Sequence, residues 1–257
     1  MPGRALTASE LEQFRIEGYV IVRQAFEASR IAKLRHAVES MLDRAAAAED
    51  AEGDEPGAPK VSWINKEKRL PERMGDYMTP AKYSPEFTDW LGEDAIPHLE
   101  QLITGGQERG VRHCRFQMLA GGDGESYRQG WHRDQRFVDP EGHFGQVCSD
   151  AGLAFMGRCV EWNTPLLAND HFFQCVPGSH CRPNSLAEVA VLHQDAAAVD
   201  SVPMPGMFTA EMQIGDVCYF DAGMLHRGWN PNGEQRWTMH HVTWGADVSA
   251  QAIRPCL

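Results

Sequence analysis

The sequence predicts a mainly β domain, a sandwich or jelly-roll barrel, with helices packed outside it at the N-terminal end. Two observations carry this expectation. After about residue 111 the chain breaks into short strand-like runs, Val111–Leu119, Gly152–Trp162, Phe172–Val176, Asp216–Phe220 and Arg236–Trp244, separated by Gly, Pro, Asn and Asp. No internal repeat or domain boundary interrupts the 257 residues, so a single domain over 1–257 is expected.

The elements follow in order. Thr7-Ala-Ser-Glu10 reads as a capping box, a hydroxyl cap with a carboxylate three residues on. Leu11, Phe14 and Ile16 then give a short helix ending at Gly18, and Tyr19–Val22 is a compact strand. From Ser29 to about Ala48, Ile31, Leu34, Val38, Met41 and Leu42 fall at helical spacing. Residues 49–59, EDAEGDEPGAP, read as a flexible acidic loop. From 60 to 108 the pattern is irregular, with helices expected near Pro85–Leu91 and Ala95–Ile103. Within it, 60–80 reads as a lid over a substrate or as an ordinary surface excursion, with Arg73 as a candidate substrate contact in the first case.

Composition excludes several function classes. A net charge of −12 disfavours broad nucleic-acid and acidic-lipid surfaces, because both need clustered cations. An anionic ligand would have to be held by a few local arginines. The seven cysteines are odd in number and none is spaced Cys-x-x-Cys, which argues against a thiolate zinc site or a disulfide framework. Without a signal-peptide stretch or a run of about 18 apolar residues, the expected location is the cytoplasm.

The chemistry concentrates around GWHRDQRF, residues 130–137. On an extended chain His132 and Asp134 share a face while Arg133 points away. An imidazole and a carboxylate are two of the three ligands of a two-histidine, one-carboxylate iron(II) site, which leaves coordination positions open for oxygen and a co-substrate. The third ligand must be a distant histidine. His226, in GDVCYFDAGMLHRGWNPNGEQRW (215–237), follows a strand run and precedes a Gly/Asn/Pro turn. Such a site needs electrons, which a 2-oxo acid can supply. The distal carboxylate of that acid needs a fixed cation, and arginine suits it, because guanidinium binds carboxylate bidentately and keeps its charge when buried. Arg236 lies on the next expected strand.

These pieces resemble the phytanoyl-CoA dioxygenase family of iron- and 2-oxoglutarate-dependent oxygenases. The likeness runs through FRIEGYVIVRQAF (14–26), WHRD (131–134), CVPGSH (175–180), GDVCYFDAGMLHRG (215–228) and Arg236, and so covers most of the chain. It implies a double-stranded β-helix core, also called a jelly roll or cupin-like fold. It implies His132, Asp134 and His226 as iron ligands, and Arg236 as the holder of the 2-oxoglutarate C5 carboxylate. O2 would be the second co-substrate, a small molecule the substrate, and succinate and CO2 the by-products. A carboxylate at 134, where related halogenases carry Gly or Ala, points to hydroxylation; desaturation, epoxidation and cyclisation use the same ligands and stay open. A non-oxidative cupin-like isomerase or binding protein is the rival, and it has no need of Arg236. Two departures stand out: Asn169-Asp170-His171 where the family usually has Asn-Gly, and Gly228 where a small hydroxyl residue often follows the distal histidine.

Other residues carry paired readings. His113, Arg115 and Gln117 alternate on one strand; if that face lines the barrel, Gln117 binds 2-oxoglutarate and the other two meet substrate, and otherwise they are solvated. Trp131 and Trp229, beside the ligands in sequence, are core or substrate wall. Arg133 and Arg136 hold an anionic substrate group or are solvated. His240 shares the parity of Arg236 and would face the cavity, whereas His241 would face outward. His180 more simply fixes a turn than binds metal.

Overall fold

The computed structural model describes residues 4–50, 61–75, 84–104, 111–134, 159–193 and 202–245. Two antiparallel sheets form its body, as the sequence leads one to expect. Helix α1 (Ala8–Glu17) opens on the reciprocal cap: Glu10 N donates to Thr7 Oγ1 (3.2 Å) and Thr7 N to Glu10 Oε2 (2.8 Å). It stops at Gly18, whose φ of 78° is left-handed and whose amide closes on Phe14 O. Phe14 is buried there, but Ile16 is half exposed and takes no part in the core.

Strand β1 (Tyr19–Val22) leads into α2 (Ala28–Asp50). Ile31, Leu34, Val38, Met41 and Leu42 are all buried, so the periodicity marks one face of α2. Each such side chain contributes roughly 1.5–3 kcal/mol. The segment that reads as irregular holds a hairpin instead, β2 (Val61–Asn65) and β3 (Leu70–Gly75). Its alternation is broken by register shifts between Ser62 and Trp63 and between Trp63 and Asn65, which hides the strand period in the sequence. Residues 51–59 of the acidic loop and 76–80 lie outside the described residues. The two expected helices, α3 (Pro85–Trp90) and α4 (Ile96–Thr104), are joined by a π-helical turn at Leu91–Ala95.

The remaining strands are β4 (Val111–Gly121), β5 (Tyr127–Arg128), β6 (Cys159–Pro165), β7 (Asp170–Cys175), β8 (Phe208–Met212), β9 (Val217–Asp221), β10 (His226–Asn230) and β11 (Arg236–Gly245), with helix α5 (Leu186–Leu192) between β7 and β8. The larger sheet has the order β1-β9-β6-β11-β4-β3-β2, the smaller β5-β10-β7-β8. This is a jelly roll with an N-terminal strand and a hairpin added at the edges of the larger sheet.

Alternation on the larger sheet sorts its residues into two layers. Val160, Trp162, Val217, Tyr219 and Met239 pack with α2, α3 and α4 in the main core. Cys218 and Phe220 turn the other way and meet Phe173, Cys175, Ala210 and Met212 of the smaller sheet. The second layer is where Glu161 and Asn163 of β6 and Thr238 and His240 of β11 also point, and it forms the site. Among the described residues no helix is long and apolar enough to cross a membrane.

Candidate active site

Backbone pairing brings the first two candidate ligands together. His132 and His226 form an isolated antiparallel bridge, with N–H···O distances of 3.0 and 2.9 Å in the two directions. Directly opposed residues on adjacent strands point to the same side, and the imidazole centroids lie 4.4 Å apart. Asp134 comes round on the same segment, and its Oδ1 sits 3.0 Å from His132 Nε2. One ligand atom from each of His132, Asp134 and His226 lies within 4.8 Å of the others.

The ring orientations favour a metal. His226 Nδ1 donates to Met224 O (2.9 Å) and His132 Nδ1 to Gly130 O (2.8 Å), so both Nε2 lone pairs face the shared space. Burial, and next the neighbouring His132, push the His226 pKa down to about 4, so its ring is neutral at physiological pH. Burial alone would raise the Asp134 carboxyl, but the close approach of the His132 ring and the nearby imidazoles outweigh it and hold it well below the usual range. Two imidazoles presenting Nε2 and one ionised carboxylate suit a divalent first-row cation. Two ligands at about 2.1 Å and at right angles around one ion stand about 3 Å apart, the separation found for His132 and Asp134.

On the face of β11 that carries His240 lies Arg236, almost wholly buried. Its Nε donates to Thr238 Oγ1 (2.9 Å), and Thr238 Oγ1 donates to the buried Asp170 carboxylate. Thr238 and Asp170 thus fix the plane of the guanidinium. No carboxylate among the described residues forms an ion pair with it. Burial lowers its pKa, partly offset by Asp170, while an arginine keeps its charge. Asp170 is the residue that departs from the family's usual Asn-Gly, and its role here is to orient this arginine.

The rest of the lining mixes expected and unexpected residues. His240 faces the interior as its parity implies; its Nδ1 lies 2.8 Å from Asn163 Oδ1, and with Asp134 and the buried Glu161 it makes a second close group of ligand-type side chains. His241 turns to the opposite face, but helices cover that face, so the ring is buried and stacks on Trp162 with centroids 4.0 Å apart. Tyr127 and Gln129 carry no sequence signal. They sit on and just after the two-residue strand β5, yet Gln129 Nε2 reaches His132 Nε2 at 3.1 Å.

Several candidates have structural places. Trp131 is buried in a satellite core with Val176, Val191, Met204 and Leu225. Trp229 stacks on Arg227, whose guanidinium carbon is 3.7 Å from the Trp229 centroid and 4.7 Å from that of Trp131. Arg133 is neither solvated nor directed at a ligand: it donates to Ser179 O (2.7 Å), Gly223 O and Asn184 Oδ1, and ties the Pro-Gly-Ser-His turn to the chain before His226. His180 fixes that turn through Arg15 O (3.2 Å). Arg73 pairs with Leu119, which pairs with Thr238, so Arg73 shares the face that carries Arg236. The side chains of His113, Arg115 and Gln117 lie outside the described residues, as does Arg136.

A jelly roll that gathers two imidazoles and a carboxylate, and also buries an arginine, has the architecture of the cupin-like oxygenases. The chain belongs to the phytanoyl-CoA dioxygenase family, whose sequence model matches residues 14–235. No curated protein sequence matches it. Among solved structures it is similar to AviO1 from Streptomyces viridochromogenes Tue57 (TM-score 0.65, 20% identity, covering 96% of this chain and 98% of that one). It is also similar to HygX from Streptomyces hygroscopicus with nickel, 2-oxoglutarate and hygromycin B bound (0.62, 16%, 95% and 89%). A third is the non-heme alpha-ketoglutarate-dependent carbocyclase SnoK from nogalamycin biosynthesis (0.60, 13%, 96% and 87%).

Proposed function

We propose that this protein is an Fe(II)- and 2-oxoglutarate-dependent oxygenase that hydroxylates an unactivated C–H bond of a small metabolite. The observation that carries the reading is the convergence of ligand atoms of His132, Asp134 and His226 in a barrel that also buries an arginine with no carboxylate ion-pair partner among the described residues. A cupin-like isomerase or binding protein gives no reason to bury that cation. The 2-oxoglutarate bound to HygX supports the choice of co-substrate.

His132, Asp134 and His226 would hold iron(II), and Arg236 would hold the distal carboxylate of 2-oxoglutarate. When bound, iron with 2-oxoglutarate and O2 supplies the oxidising power, with succinate and CO2 as by-products. The chain's own part is positional. Met224 O and Gly130 O hold both imidazoles in the Nε2-acceptor form. Thr238 and Asp170 hold the guanidinium in plane. Phe173 and Phe220 pack on the His226 ring, with centroids at 5.7 and 5.0 Å, and keep water from that side. Gln129 must give up its contact with His132 Nε2 when that nitrogen binds metal. The net charge of −12 favours a small free metabolite over a substrate carrying a coenzyme A tail.

The test is succinate release by protein reconstituted anaerobically with iron(II) and 2-oxoglutarate and then exposed to O2, with and without a metabolite library. We expect release that needs all three components and rises with the true substrate. Metal binding without any succinate would instead identify the non-oxidative metalloprotein. A product with a new ring or double bond and no added oxygen would keep the cofactors and change the reaction.

A further inference from the structure

We propose that Arg133 is the positioning residue for Asp134: its guanidinium pins the segment that carries this ligand to the turn that aims His226, and so sets the carboxylate arm of the metal site. The inference rests on the metal-site part of the reading above and concerns how this chain holds its ligands at the spacing an ion needs.

The bridge between His132 and His226 fixes the two imidazoles against each other through main-chain bonds of 3.0 and 2.9 Å. Asp134 stands two residues beyond that bridge, so the bridge by itself does not place its carboxylate. Arg133 lies between the two ligands in sequence and is half-buried. Its guanidinium donates to three acceptors at once: Nη1 to Ser179 O (2.7 Å) and to Gly223 O, and Nη2 to Asn184 Oδ1 (2.5 Å). With the backbone held at 132 and the side chain held at 133, the direction in which the chain leaves toward Asp134 is fixed.

The acceptors belong to the His226 side of the site. Gly223 precedes Met224, whose carbonyl accepts from His226 Nδ1 at 2.9 Å, and Gly223 N donates to Asp221 Oδ1 (2.7 Å). Ser179 is wholly buried, and its Oγ accepts from Leu225 N (2.9 Å) while its carbonyl takes Arg133. Residues 223–225, which aim the His226 ring, are thus held by Ser179 and Arg133 together. One guanidinium therefore couples the placement of Asp134 to that of His226. Arginine suits this because a planar fork of five donors can reach three acceptors, whereas an ammonium is a compact point charge. An error of about 1 Å in the supporting residues is enough to loosen such a site.

The test uses the full chain titrated with cobalt(II), whose visible bands report the ligands around the ion and so separate this site from stray binding. Arg133→Met is expected to weaken cobalt about 10- to 100-fold, the usual cost of losing a residue that orients a ligand. Arg133→Lys keeps the charge, loses the fork and should recover only part of this. Asn184→Ala removes one acceptor and should weaken cobalt severalfold. The decisive measurement is the pairing with Asp134→Ala: in that background Arg133→Met and Asn184→Ala should change affinity less than twofold, because the ligand they place is gone. A residue that merely stabilised the fold would cost the same in both backgrounds, and that result overturns the inference. Wild-type affinity and bands in Arg133→Met overturn it as well. If Arg133→Met does not fold, Asn184→Ala with and without Asp134→Ala decides in its place. A wild type that binds cobalt at this site but releases no succinate overturns the oxygenase reading alone, whereas one that binds no cobalt there overturns the ligand set and this inference with it.

Discussion

His132 and His226 are hydrogen-bonded partners across an antiparallel bridge, each donating its amide to the other's carbonyl at 3.0 and 2.9 Å. Two imidazoles from distant parts of the chain are thus set side by side by main-chain geometry. Trp131 and Arg227, their sequence neighbours, turn to the other side and meet there, 4.7 Å from guanidinium carbon to ring centroid. The bridge therefore has a ligand face and a cation–π face.

The ligand face gives the first prediction. Asp134→Ala and His226→Ala should each lower iron(II) affinity by more than roughly 100-fold, beyond the usual cost of losing an outer-sphere partner. Wild type should gain about 2.7 kcal/mol of stability at a metal concentration 100 times its Kd, and either variant less than about 0.4 kcal/mol at that concentration. Thermal melts with manganese(II) as an air-stable substitute measure this. An unchanged metal-induced rise in Tm in either variant would remove that residue from the ligand set.

Arg236 gives the second. Arg236→Met keeps much of the buried volume and removes the charge, so KM for 2-oxoglutarate should rise about 100-fold, in line with the roughly 2–5 kcal/mol lost when a buried charge pair is broken. Arg236→Lys should fall between, because a point charge cannot bind bidentately. Succinate formation against 2-oxoglutarate concentration reads the difference, and a KM within twofold of wild type in Arg236→Met would count against the assignment.

The cation–π face gives the third. Arg227 is buried, lies between Trp131 and Trp229, and donates from Nε to Gln174 Oε1 at 2.8 Å. Arg227→Met should lower stability by about 2 kcal/mol, the scale of a desolvated cation–π contact, and should weaken metal binding by loosening both flanking ligands. Urea unfolding with and without metal separates the two effects.

Acid gives the fourth. Arg4 donates to Glu10 at 2.8 Å, and this pairing, against some opposing burial and with help from Thr7, holds the Glu10 pKa down at about 2 rather than 4.5. A depressed carboxylate stabilises the fold above its unfolded value and loses that contribution as pH falls. The capped start of α1 should therefore weaken between about pH 4.5 and 2. Arg4 is largely solvated, so the effect should stay near or below about 1 kcal/mol. In Glu10→Gln, the urea midpoint should lose that part of its acid dependence.

By itself the sequence determined the fold class, the capped first helix, the buried face of α2, the strand run that precedes His226 and the one that carries Arg236. These depend on local periodicity and on turn and cap chemistry, which adjacent residues encode. His132, Asp134, His226 and Arg236 could be named because their motifs are short and their residue types are chemically restrictive. The β2–β3 hairpin was hidden by its register shifts. The tertiary structure alone decided that Arg133 ties two loops together, that Asp170 orients Arg236 through Thr238, and that Tyr127 fills the space at Gly228. Each of these relations joins residues far apart in the chain through tertiary packing, and no local pattern of side chains records which segments will lie side by side.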